Sequence, residues 1–362
     1  MKRLRVVILG ASFGRHVHAV GFARHEGFEV VGIAGADADK TRRTADELGI
    51  PEASADWRGL LESVRPDVAC VVTPVDLHHR MMMAALDLGA HVLCEKPTAM
   101  NRYQAAEMRD HARRAGRVAT INHEFRFQPA RHAALALVRA GGIGVPHRGA
   151  IVARNPVWPR RAPRGMSWLS QAERGGGILG ALGSHHTDCF RTFFGEPRSV
   201  VASVRVDQPM RGPSAAHPAG GRATADDACT LHYEFEGGVT GLIDLNATTP
   251  FRWERFEIHG EEASLRWEAS ADRLWRTAPG REEEELEIPA ELRLARRDGD
   301  HPLVPPFGVL ISRLHEAITN QTPMEPSFDD AVAVQSALDA ARASSSARAA
   351  VDVDVPHPVR RA

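Results

Sequence analysis

Val6-Val7-Ile8-Leu9-Gly10-Ala11-Ser12-Phe13-Gly14-Arg15-His16-Val17-His18 is the stretch that decides the fold of this chain. Four apolar residues end abruptly in a small-residue turn, and a helical pattern follows. A parallel sheet begins this way when an anion such as a nucleotide phosphate sits at the start of the first helix. The unpaired N–H groups of the first turn face the anion, and the helix dipole favours negative charge there. Glycine belongs in the turn because a Cβ holds the backbone away from the phosphates. The fingerprint is imperfect: Gly10 takes the first glycine position, Ser12 the second and Arg15 the third, with Gly14 one place early. A ligand-free strand, turn and helix fits the same stretch, so the choice rests on the rest of the chain.

Outward from that stretch, strands alternate with helices of about ten residues. Strands are expected over 4–9, 28–34, 67–72, 91–94 and 117–121. Helices are expected over 14–25, 39–48, 57–63, 77–88 and 101–115, with Gly49 and Gly89 as terminators. Such alternation implies right-handed crossovers and a parallel sheet. Ligands of open α/β sheets bind beyond the carboxyl ends of the strands. Those ends carry Gly10–Arg15, Gly35-Ala36-Asp37, Thr73–His78 and Glu95-Lys96-Pro97, which should line one crevice.

After Phe125 the texture changes. Pro156, Pro159 and Pro163 punctuate an arginine-rich loop, and strands are expected over 147–154, 198–207, 227–235, 239–247, 255–259 and 263–268. Runs of strands after a βαβ half predict a second, α+β domain with a mostly antiparallel open sheet. The Gly-, Pro- and Ala-rich segment 208–224 reads as a loop, and Glu282–Glu285 as a solvated acidic face. Residues 306–319 and 328–343 read as helices. The expected boundaries are 1–123 for a Rossmann domain, 124–330 for the α+β domain, and 331–362 for a C-terminal helix and tail returning toward the first domain.

At 362 residues the chain is long enough for two domains, and 43% hydrophobic and 25% charged residues are ordinary globular values. A formal net charge of −1 gives no overall attraction for nucleic acid or an anionic membrane. Cys70, Cys94, Cys189 and Cys229 are scattered without a CxxC pair, as expected of reduced thiols in the cytoplasm. The first apolar run is too short for a leader or a membrane span.

Several segments together resemble the Gfo/Idh/MocA family of NAD(P)-dependent oxidoreductases. They are Thr73-Pro74-x-x-x-His78, Glu95-Lys96-Pro97, Asn122-His123-Glu124-Phe125-Arg126-Phe127, Gly175-Gly176-Gly177 with Gly183-x-His185-x-x-Asp188, and Pro326-Ser327-Phe328-Asp329-Asp330-Ala331. The resemblance implies a Rossmann domain followed by an open-sheet domain, which carries substrate on one face and a subunit contact on the other. A homodimer or homotetramer through that sheet follows as an expectation. The implied chemistry is hydride transfer between nicotinamide and a sugar, polyol or inositol-like substrate.

Lys96 is the first catalytic candidate: at a strand tip beside nicotinamide its ammonium polarises a substrate oxygen, or its amine relays a proton. His185 is the second, since histidine exchanges protons near neutral pH. At about 100° per residue Ala181, His185 and Asp188 share one helix face, away from the apolar stripe of Leu182, His186, Cys189, Phe190 and Phe193. The family pattern has an aspartate where this chain has Ala181. Asp188, one turn after His185, is the candidate substitute. The missing acid also motivates a second hypothesis, a nucleotide-binding regulator or scaffold with little turnover.

Gly10, Ala11, Ser12, Phe13, Gly14 and Arg15 are expected to hold the phosphates. Thr73, Pro74 and His78 are expected on the nicotinamide side, with Glu95, Lys96 and Pro97 beside them. At the tip of the second strand Gly35 and Ala36 select neither NAD nor NADP. Asp37 is within reach of a ribose, and Lys40, Arg42 or Arg43 of a phosphate, so the cofactor is written NAD(P). His123, Arg126 and Trp168 join His185 as candidate substrate contacts, and Gly175–Gly177 as a candidate hinge. Adjacent histidines such as His78-His79 and His185-His186 diverge on a helix, so no metal site is expected.

Overall fold

The computed structural model describes residues 2–161, 164–268 and 271–357; Pro163 and the end of the expected C-terminal tail lie outside them. Residues 2–127, 294–332 and 356–357 form one unit, and residues 128–293 and 333–355 a second.

The first unit begins with β1 (Leu4–Leu9), β2 (Phe28–Ala34), β3 (Glu52–Ser54), β4 (Val68–Val71), β5 (His91–Cys94) and β6 (Ala119–Ile121). They form one parallel sheet in the order β3-β2-β1-β4-β5-β6. The order reverses at β1, so the tips of β1 and β4 flank the switch point where such sheets bind ligands. The crossovers carry α1 (Ala19–Arg24), α2 (Ala38–Leu48), α3 (Trp57–Val64), α4 (His78–Asp87) and α5 (Arg102–Ala115). Their ends follow local chemistry. The side chains of Asp37, Asp56 and Asn101 accept hydrogen bonds from first-turn N–H groups of α2, α3 and α5, and Gly49 closes α2 in the left-handed region. The sequence reading missed β3, a three-residue edge strand with no apolar alternation.

The second unit opens with α6 (Pro129–Arg139), which the sequence reading passed over, and β7 (Pro146–Pro156). Then come α7 (Ser184–Phe194), β8 (Pro197–Arg205), the two-residue strands β9 (Met210–Arg211) and β10 (Gly221–Arg222), and β11 (Ala228–Phe235). β12 (Thr240–Asn246), β13 (Thr248–Gly260), β14 (Ser264–Glu268), β15 (Arg273–Thr277) and β16 (Glu284–Leu286) follow. The chain closes with α8 (Val304–Thr319), α9 (Phe328–Ala347) and β17 (Val351–Asp352). The large sheet has the order β16-β15-β14-β13-β7-β12-β11-β8-β17, and β7 with β12 is its one parallel pair. The architecture is therefore α/β: a Rossmann-type unit plus a mixed, mostly antiparallel open sheet.

One expectation is extended and one is corrected here. The acidic run 282–285 is exposed as expected, and in addition Glu284 and Glu285 belong to edge strand β16, and Glu283 and Glu285 pair with Arg266 and Arg273. Segment 208–224 is not a plain loop but carries β9 and β10, fixed by a fully buried Arg211–Asp227 ion pair of 3.0 Å.

Each unit has its own core. In the first, Val6, Ile8, Ile33, Val68 and Leu93 of the sheet meet Val17, Phe22 and the α8 residues Phe307, Leu310, Ile311 and Leu314. In the second, Phe190, Tyr233, Phe235, Phe256 and Trp267 are fully buried with the α9 residues Ala337, Leu338 and Ala341. Among the described residues no helix is long and apolar enough to cross a membrane.

Candidate active site

The phosphate turn is built on close approaches. Gly10 has φ 128°, and a Cβ there would lie 2.2 Å from the carbonyl oxygen of Val72, so the tips of β1 and β4 meet only because residue 10 has no side chain. The displaced Gly14 does the packing job of a third glycine, since its Cβ would come within 3.0 Å of Ile8 Cγ2. It opens a π-helical turn, Gly14–His18, ahead of α1; such turns recur at functional sites. Among the described residues, the N–H groups of Ala11, Ser12 and Phe13 have no hydrogen-bond partner within the chain. Three backbone donors at the start of a helix fit a dinucleotide's pyrophosphate. Arg15 leans away to an ion pair with Glu47 at 2.9 Å.

At the tip of β5 lies a buried charge network. Glu95 Oε1 accepts hydrogen bonds from His18 Nε2 at 2.8 Å and Asn122 Nδ2 at 2.6 Å, while Oε2 accepts from the Lys96 N–H at 3.1 Å. Burial pushes the Glu95 pKa up, but the His18 hydrogen bond, the Lys96 charge and the Asn122 amide outweigh it and bring it down to about 2. His18 Nδ1 lies 3.0 Å from the Cys70 sulfur, whose pKa burial drives upward. Glu95 thus holds the strand tips together and fixes the backbone of half-buried Lys96, which is joined to Pro97 by a cis peptide bond. Asn122 Oδ1 is buried at the tip of β6 with no hydrogen-bond partner among the described residues, an acceptor suited to an amide such as that of nicotinamide.

His78 braces neighbouring tips. Its Nε2 lies 2.9 Å from the Thr73 carbonyl, and its Nδ1 lies 3.1 Å and 3.2 Å from those of Pro97 and Thr98. Its ring is fully buried, and burial lowers its pKa against the pull of those carbonyls. Both ring nitrogens are therefore occupied by backbone. Thr73 and Pro74 stand half-buried at the tip of β4. At the tip of β2, Gly35 is half-buried, and Asp37 Oδ1 accepts from the Lys40 N–H at 2.9 Å, so this carboxylate caps α2. Beyond β6, His123 is buried, and Arg126 forms a 2.9 Å ion pair with Asp330 in the first turn of α9.

In the second unit the residues before α7 are wound as a π-turn, Leu179–Gly183, so a uniform 100° step does not carry through it. The turn holds Ala181 and Leu182, whereas His185, His186, Asp188, Cys189, Phe190 and Phe193 all lie on the regular helix α7; every residue from Gly183 to Phe190 is buried, so the His185 face is covered as well as the apolar stripe. His185 is 1% exposed, and its carbonyl accepts from Arg131 at 3.4 Å. His186 lies against the Phe256 ring, its pKa lowered to about 3 by burial and then by the Arg131 charge. Asp188 is also 1% exposed and lies 3.5 Å from Arg191, whose guanidinium also holds Glu196. Trp168 is half-buried in a short 3₁₀ turn. The glycine run is pinned rather than loose: Gly176 backs onto the Trp168 and Leu169 carbonyls, and Asp226 accepts from the Leu179 N–H at 2.7 Å beside Gly177.

Sequence reasoning passed over His18 and gave no role to Asn122. Each is a polar residue in a stretch otherwise turned to the apolar sheet, and that was the available signal. Among the described residues, no three His, Cys, Asp or Glu side chains gather as metal ligands would.

Residues 4–123 match the model of the oxidoreductase family with an NAD-binding Rossmann fold, and residues 132–266 match the GFO/IDH/MocA C-terminal domain. The chain is 32% identical over 260 residues to 1,5-anhydro-D-fructose reductase of Ensifer adhaerens, covering 71% of this chain and 74% of that one. An oxidoreductase domain protein from Kribbella flavida superposes with a TM-score of 0.87 at 25% identity, over 98% of this chain and 100% of that one. Levoglucosan dehydrogenase in complex with NADH and L-sorbose superposes equally well, TM-score 0.87, at 22% identity over 98% and 99%; that likeness is one of fold. The cradle at the strand tips and the matches along both halves agree: the chain belongs to the Gfo/Idh/MocA family of NAD(P)-dependent oxidoreductases.

Proposed function

We propose that this enzyme interconverts a hydroxyl and a carbonyl on a sugar, polyol or inositol-like substrate, with Lys96 and His185 handling the hydroxyl proton. Bound nicotinamide supplies the hydride acceptor in one direction and the donor in the other. On oxidation the substrate C–H leaves as hydride and the O–H as a proton. Lys96 hydrogen-bonds the reacting oxygen and stabilises its developing negative charge, and His185 takes the proton. On reduction both transfers reverse. Asp188 supplies the buried negative charge on the His185 helix that Ala181 lacks. Thr73, Pro74 and the Gly10–Arg15 turn seat the dinucleotide; His123, Arg126 and Trp168 are proposed substrate contacts.

The observation that carries this reading is the Glu95 network, which holds Lys96 at a rigid strand tip next to the phosphate turn. Similarity to named sugar reductases and dehydrogenases supports the substrate class. The test is nicotinamide absorbance with a panel of 1,5-anhydro-D-fructose, levoglucosan, aldoses and inositols. Turnover on at least one member is expected; tight cofactor binding with no turnover on any of them would favour a regulator.

Exposed Val201, Phe251 and Trp253 on the large sheet support assembly into a homodimer or homotetramer, which sedimentation would reveal. The four cysteines are buried and in no disulfide among the described residues, which suits the cytoplasm.

A further inference from the structure

Many dinucleotide-binding sheets discriminate against NADP with an acid at the tip of the second strand: its carboxylate binds the ribose 2′-hydroxyl and repels a 2′-phosphate. Here that residue is Gly35, and the packing explains why. A Cβ on Gly35 would lie 2.5 Å from Thr41 Oγ1 and 2.9 Å from the Cβ of Ala11. Neither neighbour gives way easily. Thr41 is buried and its hydroxyl donates to the Asp37 carbonyl at 2.6 Å. Ala11 belongs to the phosphate turn, so moving its Cβ means moving backbone that faces the pyrophosphate. The tip of β2 and the phosphate turn are therefore in contact through a residue that tolerates no side chain.

The surroundings do not restore the missing selection. Ala36 is exposed and has no polar atom on its side chain. Asp37 directs Oδ1 to the first turn of α2. Arg42 is committed to Asp46, and Arg15 to Glu47. Exposed Lys40 and Arg43 in the first two turns of α2 have no ion-pair partner among the described residues, and they offset Asp37 and Asp39. The local field neither repels nor strongly attracts a 2′-phosphate.

We propose that this enzyme accepts NADH and NADPH with comparable affinity, because position 35, the first residue beyond β2, carries no acid and has no room for one. The inference rests on the nucleotide site described above.

The test is calorimetric titration of the purified full-length protein with NADH and with NADPH at one salt concentration. The two Kd values are expected within about tenfold of each other, and a larger ratio in either direction overturns the inference. Ala36→Asp places a carboxylate on the exposed side of the same tip without disturbing the Gly35 contacts. It should weaken NADPH relative to NADH by about tenfold or more, and an unchanged ratio overturns the assignment of this tip as the place where the 2′ substituent is read. If neither nucleotide binds the native protein, the nucleotide site itself is refuted, an outcome distinct from a skewed ratio.

Discussion

His18 Nε2 and Glu95 Oε1 lie 2.8 Å apart, both buried, and join the first helical turn after β1 to the tip of β5. This contact fixes the residue that carries Lys96. Glu95→Gln keeps the shape and removes the charge, and should cost about 2 kcal/mol in denaturant unfolding at neutral pH. The folded-state pKa of Glu95 is depressed from 4.5 to about 2, so its contribution is complete above 4.5 and is lost as pH falls toward 2. The gap between native protein and variant should close over that window. A constant gap would contradict the assignment.

His186 has the opposite sense. Burial holds its folded pKa near 3, while the unfolded chain titrates near 6.5, so the unfolded state binds the extra proton between those values. Stability should fall as pH drops below 6.5, by at most about 1.4 kcal/mol per pH unit from this residue. His91, lowered to about 4 by burial and then by the Arg117 charge, adds to the same trend. His186→Phe, which keeps a ring beside Phe256, should flatten the slope; an unaltered slope in thermal melts would sink the idea.

Gly10→Ala should be severe. At φ 128° and 2.2 Å from the Val72 carbonyl, the new methyl must push β1 and β4 apart. A loss of more than about 2 kcal/mol is expected, with weakened nucleotide binding. Near-native stability would show that the tips separate freely.

Asp188→Asn separates two roles. If the carboxylate steadies the charged form of His185, its removal should lower the pH at which the ionisation assigned to His185 appears in the kcat profile, with little change in KM. If it serves only Arg191, stability should drop by about 1 kcal/mol and the pH profile should stay put.

The Rossmann half was legible because its strands are short apolar runs with glycine or capping residues at their ends. β3 lacked that pattern and escaped. In the second unit, β16 is an edge strand of Glu-Glu-Leu and β15, its neighbour, begins and nearly ends with Arg, and a charged margin reads like a solvated surface. Lys96 was visible through Glu95-Lys96-Pro97, but the reason it is held still was not: His18 and Asn122 reach Glu95 from positions 77 residues before it and 27 residues after it. The burial of His185 and Asp188 was not legible, because a helical wheel sorts residues by face and does not say what covers a polar face.

The most direct test of the central claim is Lys96→Ala, assayed for both turnover and cofactor affinity on whichever sugar or polyol the native enzyme turns over. The account predicts a fall in kcat of about 10²- to 10⁴-fold while NADH affinity stays within a few-fold of native. Turnover indifferent to the loss of Lys96 would contradict it.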